Sequence, residues 1–305
     1  MKLLNFKAAL VIVLIGAGLI GANAFYTNLF KEGCLGICTV DLNSSYASQG
    51  STLKGDGRPT YNQLAKRATA NDKEASNKRV FVIDYNSGFS LASSQHFGAK
   101  VDEIKGAAIE GDIVILRITS PGGSALACSS DYNKIVGLRE RGIKVIATVD
   151  YAALSCGYYL ASGANLIFAD TGAWVGNIGA VMVLDASKAA KERTIVGSTR
   201  AKEIMVGGVA KTDGDIEIIQ KVVNMSFESF RDAVLAGRGN RINVNDYELV
   251  FSTLPFSGNI GLELGLVDGN LTSDAILEEL YYKGYRITLV NYVVKKPLIQ
   301  KLITG

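Results

Sequence analysis

Histidine is almost absent from this sequence: one residue, His96, in a chain of 305. That scarcity excludes a multi-histidine metal site and leaves a serine–histidine triad only His96 to draw on. His96 stands in the polar stretch S-S-Q-H-F-G, which reads as solvated surface. A concentrated basic face is lacking too. Residues 79–280 carry 18 basic and 24 acidic side chains, so no nucleic-acid partner is expected, because phosphates need clustered positive charge. Cysteine is sparse: Cys34, Cys38, Cys128 and Cys156. No second ligand pair lies near Cys34 and Cys38, which argues against zinc. A local Cys34–Cys38 disulfide outside the cytoplasm and two unpaired thiols stand as equal readings. The run Gly176-Asn177-Ile178-Gly179 lacks the third glycine and the following helix of a dinucleotide loop. No cofactor and no metal are expected.

The chain does have one long uncharged run, residues 8–30, preceded by Lys2 and Lys7. It exceeds the roughly 20 residues a helix needs to span a bilayer. The preceding lysines predict a cytoplasmic N-terminus, with the bulk of the chain on the extracytoplasmic side. A cleaved secretory signal competes, since Ala22-Asn23-Ala24 fits a small-x-small cleavage site. The apolar residues beyond it (Phe25, Tyr26, Leu29, Phe30) favour a retained anchor over residues 1–30. Residues 31–78 have the Ser, Asn, Lys and Thr content of a polar linker, with a short helix over Tyr61–Thr69. A globular domain is expected over 79–280. Residues 281–305, with five basic and no acidic side chains, form a basic tail suited to a membrane surface or to simple solvation.

Within the domain, short apolar bursts alternate with amphipathic segments. Val80–Asp84, Ile113–Ile118, Lys144–Val149, Leu166–Asp170 and Ala180–Leu184 read as strands. Ser90–Lys105 and Ser124–Arg139 have helical spacing, and Asp215–Gly237 reads as one long helix with an apolar stripe. Strands alternating with helices of this length predict an α/β fold: a mostly parallel sheet with flanking helices.

Four stretches carry chemistry. Tyr151–Ala164 (Y-A-A-L-S-C-G-Y-Y-L-A-S-G-A) places Ser155 where a strand turns into a helix, a position from which many acyl-transfer enzymes present a nucleophile. The competing reading is that Ser155 only caps the helix. Ser120-Pro121-Gly122-Gly123-Ser124 follows a strand; its glycine N–H groups, with that of Cys156, suit an oxyanion hole, and a plain tight turn is the alternative. Gly176–Gly179 reads as a turn shaping a pocket wall near the serine. Gly207-Gly208-Val209-Ala210-Lys211 sets a lysine among small residues, where burial favours the neutral amine and hence a base for a serine. A solvated surface lysine is the alternative.

The segments I-T-S-P-G-G-S (118–124), A-L-S-C-G-Y-Y-L-A-S (153–162), V-G-N-I-G-A-V (175–181) and G-G-V-A-K (207–211) recur in this order in signal peptide peptidase A and its SohB-type relatives, which the chain resembles over roughly residues 80–300. The resemblance implies a membrane-anchored serine peptidase with a crotonase/ClpP-like fold and a Ser–Lys dyad. Ser155 matches the nucleophile, Lys211 the general base, and Gly122 or Gly123 with the Cys156 N–H the oxyanion donors. It further implies extended peptide substrates, signal peptides or unfolded membrane polypeptides, and a homo-oligomeric ring. The chain departs from the pattern at Cys156, where relatives carry glycine and a side chain narrows the room beside Ser155. It departs again at Ala210, where an aromatic residue often stands. These departures keep open an assembly protein on the same fold without proteolysis. An acyl-CoA enzyme is disfavoured by the anchor and the serine–lysine pair.

Overall fold

The computed structural model describes residues 36–44, 46, 79–86, 91–184, 195–210 and 212–293. The expected anchor over 8–30, the helix over Tyr61–Thr69, the link between Cys34 and Cys38, and Lys211 itself involve positions outside the described residues. Among the described residues no helix is long and apolar enough to cross a membrane.

The strands are β1 (Gly36–Asp41), β2 (Arg79–Tyr85), β3 (Ile113–Ile118), β4 (Lys144–Val149), β5 (Ala152–Leu154), β6 (Leu166–Ala169), β7 (Trp174–Gly176), β8 (Pro255–Ser257) and β9 (Arg286–Val293). The helices are α1 (Leu91–Ala107), α2 (Ala125–Arg139), α3 (Cys156–Ser162), α4 (Arg200–Gly207), α5 (Asp213–Arg238), α6 (Tyr247–Val250), α7 (Gly258–Glu263) and α8 (Ser273–Tyr282). Six strands form the main sheet in the order β1-β9-β2-β3-β4-β6. All pairings in it are parallel except the edge pair β1–β9. The mostly parallel α/β sheet predicted from the sequence is thus present.

Because side chains alternate across a strand, a sheet covered on both faces needs apolar residues at nearly every position. β2 shows this. Phe81, Ile83 and Tyr85 join Phe97, Val101 and Ile104 of α1 and Ile135 and Leu138 of α2 in one core. Val80 and Val82 face the other way, with Ile115, Ile287 and Ile276, Leu277 and Leu280 of α8.

The sheet is wider than the 79–280 block expected. β1 lies in the segment of linker composition, and β9 lies in the segment read as a basic tail yet sits between β1 and β2. The basic residues of that tail within β9 reduce to Arg286, and its remainder, I-T-L-V-N-Y-V, is strand-forming, with Ile287 and Leu289 buried on one face and Val290 on the other. Ala180–Leu184 corrects the reading in the other direction. No strand forms there, and Val181 and Val183 are 86% and 88% exposed: a β-branched run makes a strand only where a partner edge is available. His96 is also not simply solvated, because its ring stacks on Tyr292 of β9 at 4.4 Å.

A second, three-stranded sheet, β5-β7-β8, branches off after β4. A bridge between Ser120 and Ala153 joins the two sheets.

Candidate active site

β5 pairs in parallel with β7, Leu154 opposite Gly176, and the chain then turns sharply at Ser155 into α3. Ser155 adopts φ 51° and ψ −118°, a conformation that costs a residue with a Cβ about 1–3 kcal/mol. Two other described non-glycine residues, Asn177 and Thr253, have positive φ. All three sit together. The Ser155 N–H donates to Gly176 O at 2.9 Å, and the Asn177 side-chain amide donates to Thr253 O at 2.7 Å. The expected turn at Gly176–Gly179 therefore does stand beside the serine.

The helix-capping reading of Ser155 fails on geometry. Thr199, Thr212, Ser257 and Thr272 each accept the backbone N–H three residues along with their side chains. Ser155 makes no such bond. Its hydroxyl sits on a half-buried residue at the mouth of a helix whose seven residues are all buried. The first helical bond of α3 runs from the Tyr159 N–H to Ser155 O, so the Cys156 N–H has no acceptor within the helix.

The glycine turn after β3 lies against this hydroxyl. Ser120 is stitched to β5 by two backbone bonds: its N–H donates to Ala152 O at 2.8 Å, and the Leu154 N–H donates to Ser120 O at 2.9 Å. Gly122, with φ 129°, is placed so that a Cβ would lie 3.1 Å from Ser155 Cβ and 3.4 Å from its Oγ. The Gly122 N–H donates to Ser120 Oγ at 3.3 Å, whereas the Gly123 N–H has no acceptor among the described residues. Gly157 lets α3 approach the same turn, since a Cβ there would come within 2.9 Å of Ser120 Cβ. Ser155, Gly122, Gly123 and Cys156 are thus gathered at one point. This is a presented hydroxyl beside backbone N–H donors, the set that addition to a carbonyl requires.

Cys156 holds what the sequence did not disclose. Its sulfur bonds to Cys128 of α2, with the two Cα atoms 5.3 Å apart. The side chain is 4% exposed and spent in the core, so it does not crowd Ser155 as expected. The only sequence signal was an even cysteine count, which permits this pairing without selecting it.

Packing fixes α3 from several sides. The Tyr158 hydroxyl donates to Leu266 O at 2.7 Å, and burial pushes its phenol far above the usual range. The Tyr159 ring packs on Phe230 of α5 and edge-on to Tyr132 of α2. α5 itself crosses so closely at Gly237 that a Cβ there would overlap Ser162 O. The position of Lys211 is outside the described residues, but its flanks are ordered: Gly208 ends α4 with φ 64°, and Thr212 caps α5 in a reciprocal capping box with Asp215. Arg200 of α4 pairs with Asp215 and so ties the two helices on either side of the link. No group of His, Cys, Asp and Glu suited to a metal occurs among the described residues.

Residues 137–283 match peptidase family S49. The SohB-named protease of Haemophilus influenzae is 26% identical over 257 residues, 78% of this chain and 67% of that protein. The SppA-named signal peptide peptidase of Enterococcus faecium is 24% identical over 252 residues, 76% of this chain and 72% of its own. Among solved structures, the membrane-bound stomatin-specific protease 1510-N aligns with a TM-score of 0.49 at 15% identity, over 72% of this chain and 99% of that one. The S49 match covers α3 and α5, the two helices that fix the serine turn; with it and these protease-named curated relatives the chain is a peptidase, similar over residues 137–283 to family S49 and to the SppA- and SohB-named proteins.

Proposed function

We propose that the chain is a membrane-anchored serine peptidase that cuts extended polypeptides through an acyl-enzyme on Ser155. The observation that carries this reading is the Ser155 turn: a hydroxyl held at positive φ, not used for capping, with Gly122 packed against it. In the proposed reaction Lys211 accepts the Ser155 proton as a neutral amine, and Oγ attacks the scissile carbonyl. The N–H groups of Cys156 and of Gly122 or Gly123 hold the oxyanion. Gly123 is free to donate as it stands, whereas Gly122 must first leave Ser120 Oγ. Lys211 then protonates the leaving amine and, neutral again, takes a proton from the water that attacks the ester carbonyl; passing that proton to Ser155 Oγ as the acyl fragment leaves restores the serine hydroxyl.

The fold class of the reading is crotonase/ClpP-like. The segment over 8–30 serves as the anchor, with the peptidase on the extracytoplasmic side. Small residues around the turn suit extended chains such as signal peptides or unfolded membrane segments. A homo-oligomeric ring is the proposed assembly. The test is labelling by a fluorophosphonate probe together with cleavage of an unstructured peptide. Ser155→Ala is expected to abolish both, and Lys211→Ala to abolish cleavage while the protein stays folded. Full cleavage by either variant overturns the assignment.

A further inference from the structure

We infer that the Cys128–Cys156 disulfide is a positioning strap for the oxyanion hole, an inference that rests on the reading of Ser155 as nucleophile. The hole is assembled from two chain segments that are distant in sequence. One is the glycine turn 122–123 and the other is the Ser155–Cys156 turn. The glycine turn is held at its N-terminal end by the two backbone bonds between Ser120 and β5. Beyond Ser120 come two glycines, the residues with the freest backbone in the chain. Ser124 then stands at the N-terminal boundary of α2 without a side-chain capping bond, and Cys128 stands one helical turn on, its N–H donating to Ser124 O at 3.0 Å.

The disulfide ties that first turn of α2 directly to Cys156, the residue after the nucleophile. Both sulfurs also approach Ser124 O, at 2.9 Å and 3.5 Å. The covalent path Ser124–Cys128–Cys156–Ser155 therefore closes the C-terminal end of the glycine turn onto the nucleophile's own turn. Hydrogen bonds fix one end of the two glycines, and a covalent bond fixes the other. Within α3 the Cys156 N–H is fixed by its helix, so the strap sets the separation between the two donors.

A link of this kind acts on the transition state more than on substrate binding, because the oxyanion exists only after attack. Cys128 touches no reacting atom and acts through Cys156 and Ser124. Opening the link with a dithiol such as dithiothreitol needs two electrons and two protons. The reagent supplies both and ends as a cyclic disulfide, leaving two protein thiols. The expected consequence is a fall of about 10- to 100-fold in kcat, the scale of a donor displaced by about an ångström, with KM little changed.

The experiment uses the full chain, purified without reductant. It compares wild type, Cys128→Ala, Cys156→Ala and the double variant for kcat and KM on a quenched fluorescent peptide. Fluorophosphonate labelling rates and thermal melting accompany these, with all assays well below the lowest melting temperature. Both single variants and the double variant should lose kcat to the same extent, since each opens the same bond. Dithiothreitol should bring wild type down to their level and leave the double variant unchanged, which separates this bond from any other disulfide. Wild-type kcat and labelling in the folded variants would overturn the strap while leaving the Ser155 reading intact. So would recovery of Cys128 and Cys156 as free thiols in non-reducing peptide maps of active protein. Wild type that labels no faster than Ser155→Ala would overturn the nucleophile reading, and the strap with it.

Discussion

The close approach of Gly122 to Ser155 makes a quantitative prediction about a single methyl group. In Gly122→Ala the added Cβ meets Ser155 Cβ at 3.1 Å and Oγ at 3.4 Å. Ser155 has little freedom to retreat, being pinned by its N–H bond to Gly176 O and by the buried helix that follows. The strain is therefore relieved by turning or shifting the hydroxyl. Two costs add. Forcing alanine to φ 129° costs about 1–3 kcal/mol, a loss of roughly 2–4 °C in Tm per kcal/mol for a domain of this size. Moving the hydroxyl by about an ångström costs about 10²-fold in reaction rate. Gly111→Ala is a matched control, because Gly111 also has positive φ (90°) and an added Cβ meets nothing within 4 Å. Both variants are melted, and both are labelled with a fluorophosphonate probe under pseudo-first-order conditions. Gly111→Ala should lose stability and keep the wild-type labelling rate, whereas Gly122→Ala should lose both. Equal labelling rates in the two variants would refute the claim that the glycine turn faces the reactive hydroxyl.

Two further predictions concern charges buried in the scaffold. Arg238 is 0% exposed and makes a bidentate pair with Asp268 at 2.8 and 3.0 Å, its Nε donating to Gly265 O. Arg238→Met removes the bidentate partner and leaves Asp268 only Arg241, at 2.8 Å, and the Ile167 N–H, so it should destabilise by up to about 3 kcal/mol at neutral pH. Burial raises the Asp268 carboxyl, but hydrogen bonds from Arg238 and the Ile167 N–H and the charges of Arg238 and Arg241 outweigh it, so the net shift is downward. A depressed carboxyl contributes stability above its unfolded value and loses it as pH falls through the folded one, so the gap between wild type and variant should narrow below about pH 4 in urea titrations. A gap independent of pH would count against the pair. Lys100 behaves in the opposite sense: burial foremost, with Arg117 adding and Asp84 and Asp131 opposing, lowers its pKa to about 8. Between that value and the ordinary one near 10.4 the unfolded chain binds the extra proton, so stability rises with pH by up to about 1.4 kcal/mol per unit. Lys100→Met should lack this slope, and identical slopes in both proteins would sink the assignment.

Much of the sheet was legible because its strands are short, apolar on both faces and bounded by turns. Ile113–Ile118 and Lys144–Val149 form as read, and the long helix differs from its expected span by only a residue or two at each end. What escaped reading depends on partners distant in sequence. β1 and β9 pair across some 250 residues, as Gly36 opposite Val293; β1 is a short segment of mixed pattern, and the strand-forming residues of β9 are overshadowed by the basic side chains of the segment around them. Ala180–Leu184 had the pattern and found no edge. The serine turn was legible as a run of small residues between a strand and a helix. Its positive φ was not, since serine is rare in that region and only the surrounding contacts hold it there. The disulfide was hidden for a related reason: Cys128 and Cys156 come within bonding reach only after α2 and α3 pack together.

That dependence explains how such a small unit can store strain. β5 has three residues and α3 has seven, and a helix that short is not stable by itself in water. Its persistence has to come from packing: every residue of α3 is buried, Tyr158 is tied to Leu266 O, Tyr159 lies between Tyr132 and Phe230, and α5 crosses at Gly237 with no room for a side chain. Ser155 is therefore held at an unfavourable φ by contacts made at the far end of the helix it starts. The two glycines opposite it have no comparable packing of their own, because a residue without a side chain makes few contacts. One half of the site is rigid through burial, and the other half can be made rigid only through its ends. Backbone bonds at Ser120 secure one end and the Cys128–Cys156 link secures the other. The serine half should accordingly tolerate reduction, and the glycine half should not: after reduction, amide exchange should accelerate at Gly122 and Gly123 while remaining slow at Tyr159 and Leu160. Acceleration confined to α3 would reverse that assignment of rigidity.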